Sequence, residues 1–421
     1  MTRPRLRPRS PATLRRRLLP LHIAVSLQGF MLWVPIEKLF MTEIGFDAAA
    51  VGVMAAAYAA VVPIVEVPSG ILADRWSRRG VLIVASLSLA ACSLIGGLSS
   101  DVRTYILSAL VLGVYFAMYS GTMDAIVYDT VLEETGDSDA FEHRIGRVRL
   151  LESIALVASA LLGGWIAGLT STRLTYFLTV PFAALSVAAY LRFSEPRLHK
   201  AAEPIPLRRH LAVTYRTLTR RGRLLPIITL AVLSAVILQL VFEFGPLWLV
   251  ALAVPAFLYG PYWAGLVSTL GLGGLLAGRL RLDRPATAGT VAGLMTLASL
   301  ALTTTTGVVL VTVAQVVLAL LVVVASIHVT RLLHDAVPST IRSGVASGVG
   351  AISWMVFLPV ALAFGLVSTN HGVQTAGWML TAATALAGLL LTRTAFAHRT
   401  DTPPVEPGPE PRSAAPVPVG A

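Results

Sequence analysis

The sequence predicts an all-α integral membrane protein, with twelve transmembrane helices arranged as two pseudo-symmetric six-helix bundles. Three observations predict it. First, the 421 residues are 55% hydrophobic and only 13% charged, with a mean hydropathy of +0.75, so the apolar surface exceeds what a water-soluble shell can cover. Second, twelve apolar runs have the roughly 20-residue length that a helix needs to cross a bilayer core, and their continuity argues against the alternating pattern of a transmembrane barrel. Third, a basic stretch divides the runs six and six, and short sequence echoes link the halves.

The runs lie near 18–40, 48–69, 80–99, 103–130, 146–170 and 173–193, then 225–250, 257–279, 287–306, 308–330, 343–367 and 373–396. They define an N-terminal bundle over 18–193 and a C-terminal bundle over 225–397. Residues 1–17 are expected to be a disordered basic arm, 194–224 a basic linker with a short amphipathic helix on the membrane surface, and 398–421 a disordered Pro-rich tail. Seven arginines precede the first run, which places the amino terminus in the cytoplasm, and an even number of spans returns the carboxyl terminus there. On that topology only Lys38, Arg103 and Arg173, of 33 basic residues, fall at or beyond outer span ends. The net charge of +11 is therefore expected to meet anionic lipid head groups rather than nucleic acid.

In the first span Gln28, Trp33 and Glu37 are candidates, with Gly29, Trp33 and Glu37 four apart on one helical face. That stripe reads as a cavity wall, or Trp33 as an interfacial belt residue and Glu37 as a wet outer helix end. Glu66, in the inner half of the second span, is a candidate proton-binding carboxylate or the structural partner of an arginine, the latter favoured by the basic residues nearby. The fourth span ends in Ser120–Asp129, where Asp124 and Asp129 are rotated apart by about 140° and so meet different neighbours; Asp124, the deeper, is the second candidate for coupling or substrate contact. Arg149 and Glu152 are three apart and suited to pairing, and Gly163, Gly164 and Gly168 make a face for close helix packing.

In the C-terminal half, Gln239 and Glu243 lie four apart in the seventh span, ahead of Pro246 and Trp248. Glu243 is the leading candidate for cation recognition or proton coupling, since no base lies near it in sequence, although an ordinary outer-cavity acid fits as well. Leu27-Gln28 stands seven residues before Pro35, and Leu238-Gln239 seven before Pro246. Gly70-Ile-Leu-Ala-Asp-Arg75 is echoed by Gly274-Leu-Leu-Ala-Gly-Arg279, which supports duplicated halves.

The stretch Gly70-Ile-Leu-Ala-Asp-Arg-Trp-Ser-Arg-Arg79 joins the second and third spans. It resembles the signature of the major facilitator superfamily at that place, a Gly-x-Leu-Ala-Asp-Arg-x-Gly-Arg-Arg pattern, with Ser77 where the pattern has Gly. The segment Ser120–Asp129, paired with Glu66-Val-Pro-Ser-Gly70, also resembles a branch of superfamily permeases. The resemblance implies that Gly70, Asp74, Arg75, Arg78, Arg79 and Asp129 form a conformational switch. In it Asp129 is the acidic partner of Arg75, and Asp74 approaches the start of the eleventh helix near Gly344, a carboxylate at a helix amino terminus being electrostatically favourable. It further implies a secondary transporter, resembling drug and small-molecule efflux proteins, that works by rocking of its two halves.

No phosphate-binding Gly-x-x-x-x-Gly-Lys stretch is present, so an ion gradient rather than ATP is expected, with protons the default. Cys92 is the sole cysteine, and the scattered His22, His143, His328 and His334 make no metal set or catalytic cluster. The protein is thus expected to be no enzyme, to need no cofactor or metal, and to act as a monomer in a bacterial cytoplasmic membrane. The favoured function is proton-coupled efflux of a small amphipathic or cationic molecule. Proton-coupled uptake of a nutrient, or a non-transporting sensor, are the alternatives.

Overall fold

The structure is a computed structural model; it describes residues 11–135, 141–196, 224–277, 279–336 and 342–400. Fourteen α-helices and one 3-10 turn account for these residues, with no strand among them. The first half holds α1 (Pro11–Gln28), the turn Val34–Ile36, α2 (Glu37–Glu43), α3 (Ala48–Arg75), α4 (Arg78–Leu98), α5 (Val102–Thr135), α6 (Phe141–Leu169) and α7 (Thr172–Leu191). The second holds α8 (Leu224–Phe244), α9 (Pro246–Ala251), α10 (Ala256–Ala277), α11 (Pro285–Thr304), α12 (Val308–Asp335), α13 (Arg342–His371) and α14 (Val373–Thr400).

Among the described residues, ten segments are long and apolar enough to span a bilayer on their own. The two expected spans outside that set have physical reasons. The first is interrupted, because the helix stops at Gln28 and resumes only at Val34, and the piece before the break spends three of its 18 residues on Arg15, Arg16 and Arg17. The other, α10, carries five glycines, Pro261, Tyr262 and Trp263, which dilute its hydropathy without breaking it. The seventh span is also interrupted, at Gly245, where α8 gives way to α9. The Leu-Gln…Pro echo therefore marks matching breaks in the two halves, as a helix proline removes a backbone donor.

Capping residues set several starts. Asp47 accepts from the Ala50 N–H at 2.7 Å to begin α3, and Ser77 accepts from the Gly80 N–H at 2.9 Å to begin α4. Asp101 accepts from the Thr104 N–H at 3.0 Å, and that bond holds its carboxyl below its usual range.

One expectation needs correction. Residues 11–17, expected within a disordered arm, are the first turns of α1, with Leu14 buried. Arg17 donates to Glu134 at 2.6 Å and Glu133 at 3.0 Å, both at the end of α5. A cation that ties two acids across helices cannot belong to a free arm. Replacing it removes a charged donor from Glu134, which is 1% exposed, so Arg17→Ala is expected to cost about 1–3 kcal/mol, read as a lower melting temperature of the purified protein. Residues 1–10, 197–223 and 401–421 lie outside the described residues, and with them most of the arm, linker and tail.

Where the halves meet, glycines replace side chains. A Cβ at Gly52 on α3 would lie 2.6 Å from the Ala361 carbonyl of α13, and one at Gly365 2.6 Å from the Ala48 carbonyl. On the other flank, a Cβ at Gly164 of α6 would lie 2.6 Å from the Gly260 nitrogen of α10, and one at Gly260 2.6 Å from the Ala160 carbonyl. Only hydrogen side chains permit backbones this close. Thr369 accepts from the Ala49 N–H at 2.7 Å beside the first seam. All these contacts belong to the ends of the helices remote from the chain termini, so the bundles are joined on that remote face.

Candidate functional site

Beneath the glycine seams, a cavity of about 210 Å³ lies between the bundles. Its wall is mostly aromatic and apolar. Met31, Trp33, Tyr58 and Phe116 come from the first half, and Phe242, Trp263, Trp354 and Phe357 from the second. The rings brace one another: Tyr58 meets Trp354 edge-on at 5.5 Å across the bundle boundary, and Phe242 meets Trp263 at 5.6 Å. Polar lining is confined to Glu37, Gln239, Glu243 and the Trp33, Tyr58, Trp263 and Trp354 heteroatoms.

The two carboxylates are joined by a lysine. Lys38 is 2% exposed and donates from Nζ to Glu37 at 2.9 Å and to Glu243, the latter a short contact across the bundle boundary. Glu37 is 14% and Glu243 22% exposed. Glu37 has a second donor, the Tyr105 hydroxyl at 2.9 Å, which in turn shares a hydrogen bond of 2.8 Å with Tyr176. Trp33 stacks on Tyr176 at 5.2 Å and donates from Nε1 to Ser93 at 3.1 Å. Glu37 is thus fixed within the first bundle, whereas among the described residues Lys38 is the only polar partner of the Glu243 carboxylate.

Lys38 corrects the sequence reading, which set it at an outer span end. The chain leaves the helix after Gln28 and resumes it in α2, which runs to Glu43, and the lysine it carries is buried within the protein. A signal was present: Leu39-Phe40-Met41 continue the apolar run past the lysine, and Phe40 and Met41 are fully buried. Sequence proximity gave Glu243 no base; the fold supplies one from 205 residues away.

The other candidates separate. Trp33, Glu37, Gln239 and Glu243 line the cavity. Gln28 does not: it is buried in the first bundle, donating to Ser86 at 2.8 Å and accepting from Tyr190 at 2.8 Å, so its amide is engaged. Trp248 is likewise withdrawn, packed on Phe364 and donating to the Leu302 carbonyl at 3.0 Å. The proline break turns its helix away from the cavity. Glu66 is exposed and lies outside the cavity lining; the side chains of Arg75 and Arg342 lie outside the described residues, and with them the arginine pairing expected for it.

Asp124 and Asp129 do have different neighbours. Asp124 accepts from Arg149 at 2.7 Å, and Arg149 also reaches Glu152 at 3.3 Å. This exposed cluster lies outside the cavity lining. Asp129 accepts from Arg78 at 2.5 Å, and the same guanidinium nitrogen reaches the Ala125 carbonyl at 3.0 Å. The acid at the end of the fourth span therefore meets Arg78. The side chains of Gly70, Asp74, Arg75, Asp335, Arg342 and Gly344 lie outside the described residues, and with them the expected Arg75–Asp129 pair and the latch at the eleventh helix. Arg79 donates to the Phe193 carbonyl at 3.0 Å, while Glu195 accepts from Ser77 and the Arg78 N–H. The stretch after α7 is thereby fastened to the start of α4.

Among known proteins, residues 18–358 match the family described as the Major Facilitator Superfamily. Multidrug resistance protein 1 of Bacillus subtilis (strain 168) is 23% identical over 176 residues, which is 42% of this chain and 44% of that protein. The match thus spans less than half the length of that relative. Among solved structures, the nucleoside transporter NupG superimposes with a TM-score of 0.70 at 15% identity, covering 91% of this chain and 98% of its own. A D-xylose-proton symporter gives 0.65 at 14% identity, covering 89% and 97%, and a bacterial homologue of the lysosomal transporter Spinster, inward-facing and unoccupied, gives 0.67 at 14%, covering 93% and 96%. At such identities these likenesses show the fold alone. With the family match extending over most of its length, the chain belongs to the Major Facilitator Superfamily and is a membrane transporter rather than an enzyme.

Proposed function

We propose that this transporter exports a small, amphipathic, cationic molecule in exchange for protons, with the terminal face, where the amino-terminal arginines lie, in the cytoplasm. The observation that carries the reading is the cavity itself: aromatic walls, with Glu37 and Glu243 the only ionisable acids among its described lining residues. Aromatic faces attract cations and exclude water, and a carboxylate in such a wall needs a counter-charge or a proton. A proton and a cationic cargo are then competitors for Glu243, which is the requirement for exchange. The partial match to a multidrug resistance protein fits export of a drug-like molecule.

The test is flux of fluorescent cations in proteoliposomes under an imposed pH gradient. Glu243→Gln is expected to lower gradient-driven flux by at least about tenfold, equivalent to 1.4 kcal/mol or more of lost stabilisation. Undiminished flux in that variant overturns the role of the acid. Net accumulation of the cation in cells carrying the intact protein overturns export.

A further inference from the structure

Behind the cavity lining Lys38 is bonded to both acids, so three charges meet there rather than two, and they have unequal freedom. Glu37 keeps two donors from its own bundle, Lys38 and Tyr105. Glu243 is reached by Lys38 alone among the described residues, and from the opposite bundle. Any motion that parts the bundles at this level leaves Lys38 with Glu37 and takes Glu243 from its partner. The neutral pair stays in one half, and one negative charge remains for whatever enters. With Lys38 counted, the sum is minus one.

We infer that Lys38 is the specificity residue that sets the charge of the cargo, restricting the cavity to compounds with a single positive charge. This rests on the cationic-cargo reading above and adds to it a limit that the two acids alone would not impose. A monocation beside Glu243 brings the site to neutrality. A dication overshoots, and the surplus charge is unpaired among Phe242, Trp263 and Trp354, where an unpaired charge is disfavoured. Specificity here comes from repulsion by a resident cation as much as from attraction to an acid. Lys38 donates three hydrogen bonds at most and is buried, so it acts as a fixed charge and not as a ligand the cargo displaces.

Ethidium and propidium share one ring system and carry one and two positive charges, which makes them the probes. Fluorescence titration of the full-length protein in lipid nanodiscs is expected to show ethidium binding about tenfold tighter than propidium. In Lys38→Gln the site carries two uncompensated acids, and the propidium-to-ethidium affinity ratio is expected to rise at least about tenfold. Lys38→Arg is expected to keep the original ratio. The double variant Lys38→Gln with Glu37→Gln restores a sum of minus one and should restore preference for ethidium, which a merely structural lysine would not do. If Lys38→Gln does not elute as a folded monodisperse protein, Glu37→Gln provides the same test with opposite sign, since its sum of zero should weaken both dyes, propidium most. Intact protein that binds neither dye overturns the cationic-cargo reading and this proposal together. Intact protein that binds ethidium, with a ratio unmoved by Lys38→Gln or by Glu37→Gln, overturns the role of Lys38 alone.

Discussion

Valine at Gly164 is expected to abolish transport while leaving the protein folded. The Cβ would lie 2.6 Å from the Gly260 nitrogen and 2.8 Å from its Cα. Both are backbone atoms, so no rotamer change relieves the clash, and α6 and α10 must separate. Overpacking of this kind costs about 1–3 kcal/mol at a site that can adjust. Here the strain applies only when the remote face is closed, because each helix belongs to its own bundle. A penalty of about 3 kcal/mol lowers the closed population roughly a hundredfold. Two measurements check it. Cation flux should fall to background. In a Tyr58→Cys background, a membrane-impermeant maleimide added from the remote face should label the cavity in Gly164→Val and not in the parent; Cys92 is buried and gives no competing signal. Normal flux with an unlabelled cavity would show that the seam opens without these glycines in contact. Gly52→Val, at the other seam against the Ala361 carbonyl, should behave alike.

Arg78→Ala is expected to destabilise the first bundle by about 2–3 kcal/mol, the usual range for hydrogen bonds to a charged group left without its partner. Arg78 and Asp129 are 12% and 13% exposed, and the guanidinium joins the starts of α4 and the last turns of α5 through two acceptors. The double variant with Asp129→Asn should be less damaged than Arg78→Ala alone, as it removes the stranded charge. Thermal unfolding of the four proteins gives the cycle. A fall in stability below about 0.5 kcal/mol, within the range of ordinary surface substitutions, would mean that water replaces the arginine.

Much of the architecture was legible because lipid simplifies the problem: a span must be long, apolar and helical. The glycines of the fifth span were legible for the same reason, since Gly163, Gly164 and Gly168 on one helix have few uses besides close approach. Gly163 faces the Leu32 carbonyl and Gly168 the Phe257 backbone. Arg149 and Glu152 were legible because helix geometry fixes neighbours three apart.

What was not legible depended on contacts distant in sequence. Gln28 and Gln239 hold equivalent positions in the two echoes, yet one is consumed by Ser86 and Tyr190 and the other lies at the cavity. Nothing local distinguishes them. Glu243 was identifiable as an acid in an apolar span, but its partner is 205 residues earlier, and the break that carries Lys38 inward shows in sequence only as Pro35. Asp129 meets Arg78, which opens α4 beside the last turns of the fourth span, a neighbour that spacing along the chain does not single out; the expected arginine, Arg75, has its side chain outside the described residues.

The interruption between Gln28 and Val34 also bears on how such a protein can vary over generations. An insertion within an unbroken helix turns every later residue by about 100°, so a single added residue in α1 would otherwise swing Lys38 off its acids. Because α2 starts anew after an irregular stretch, that rotation can be absorbed before it reaches the lysine. The membrane anchor of the first span and its charge-bearing tip can therefore accumulate changes separately, which leaves cargo preference open to revision without rebuilding the bundle that supports it.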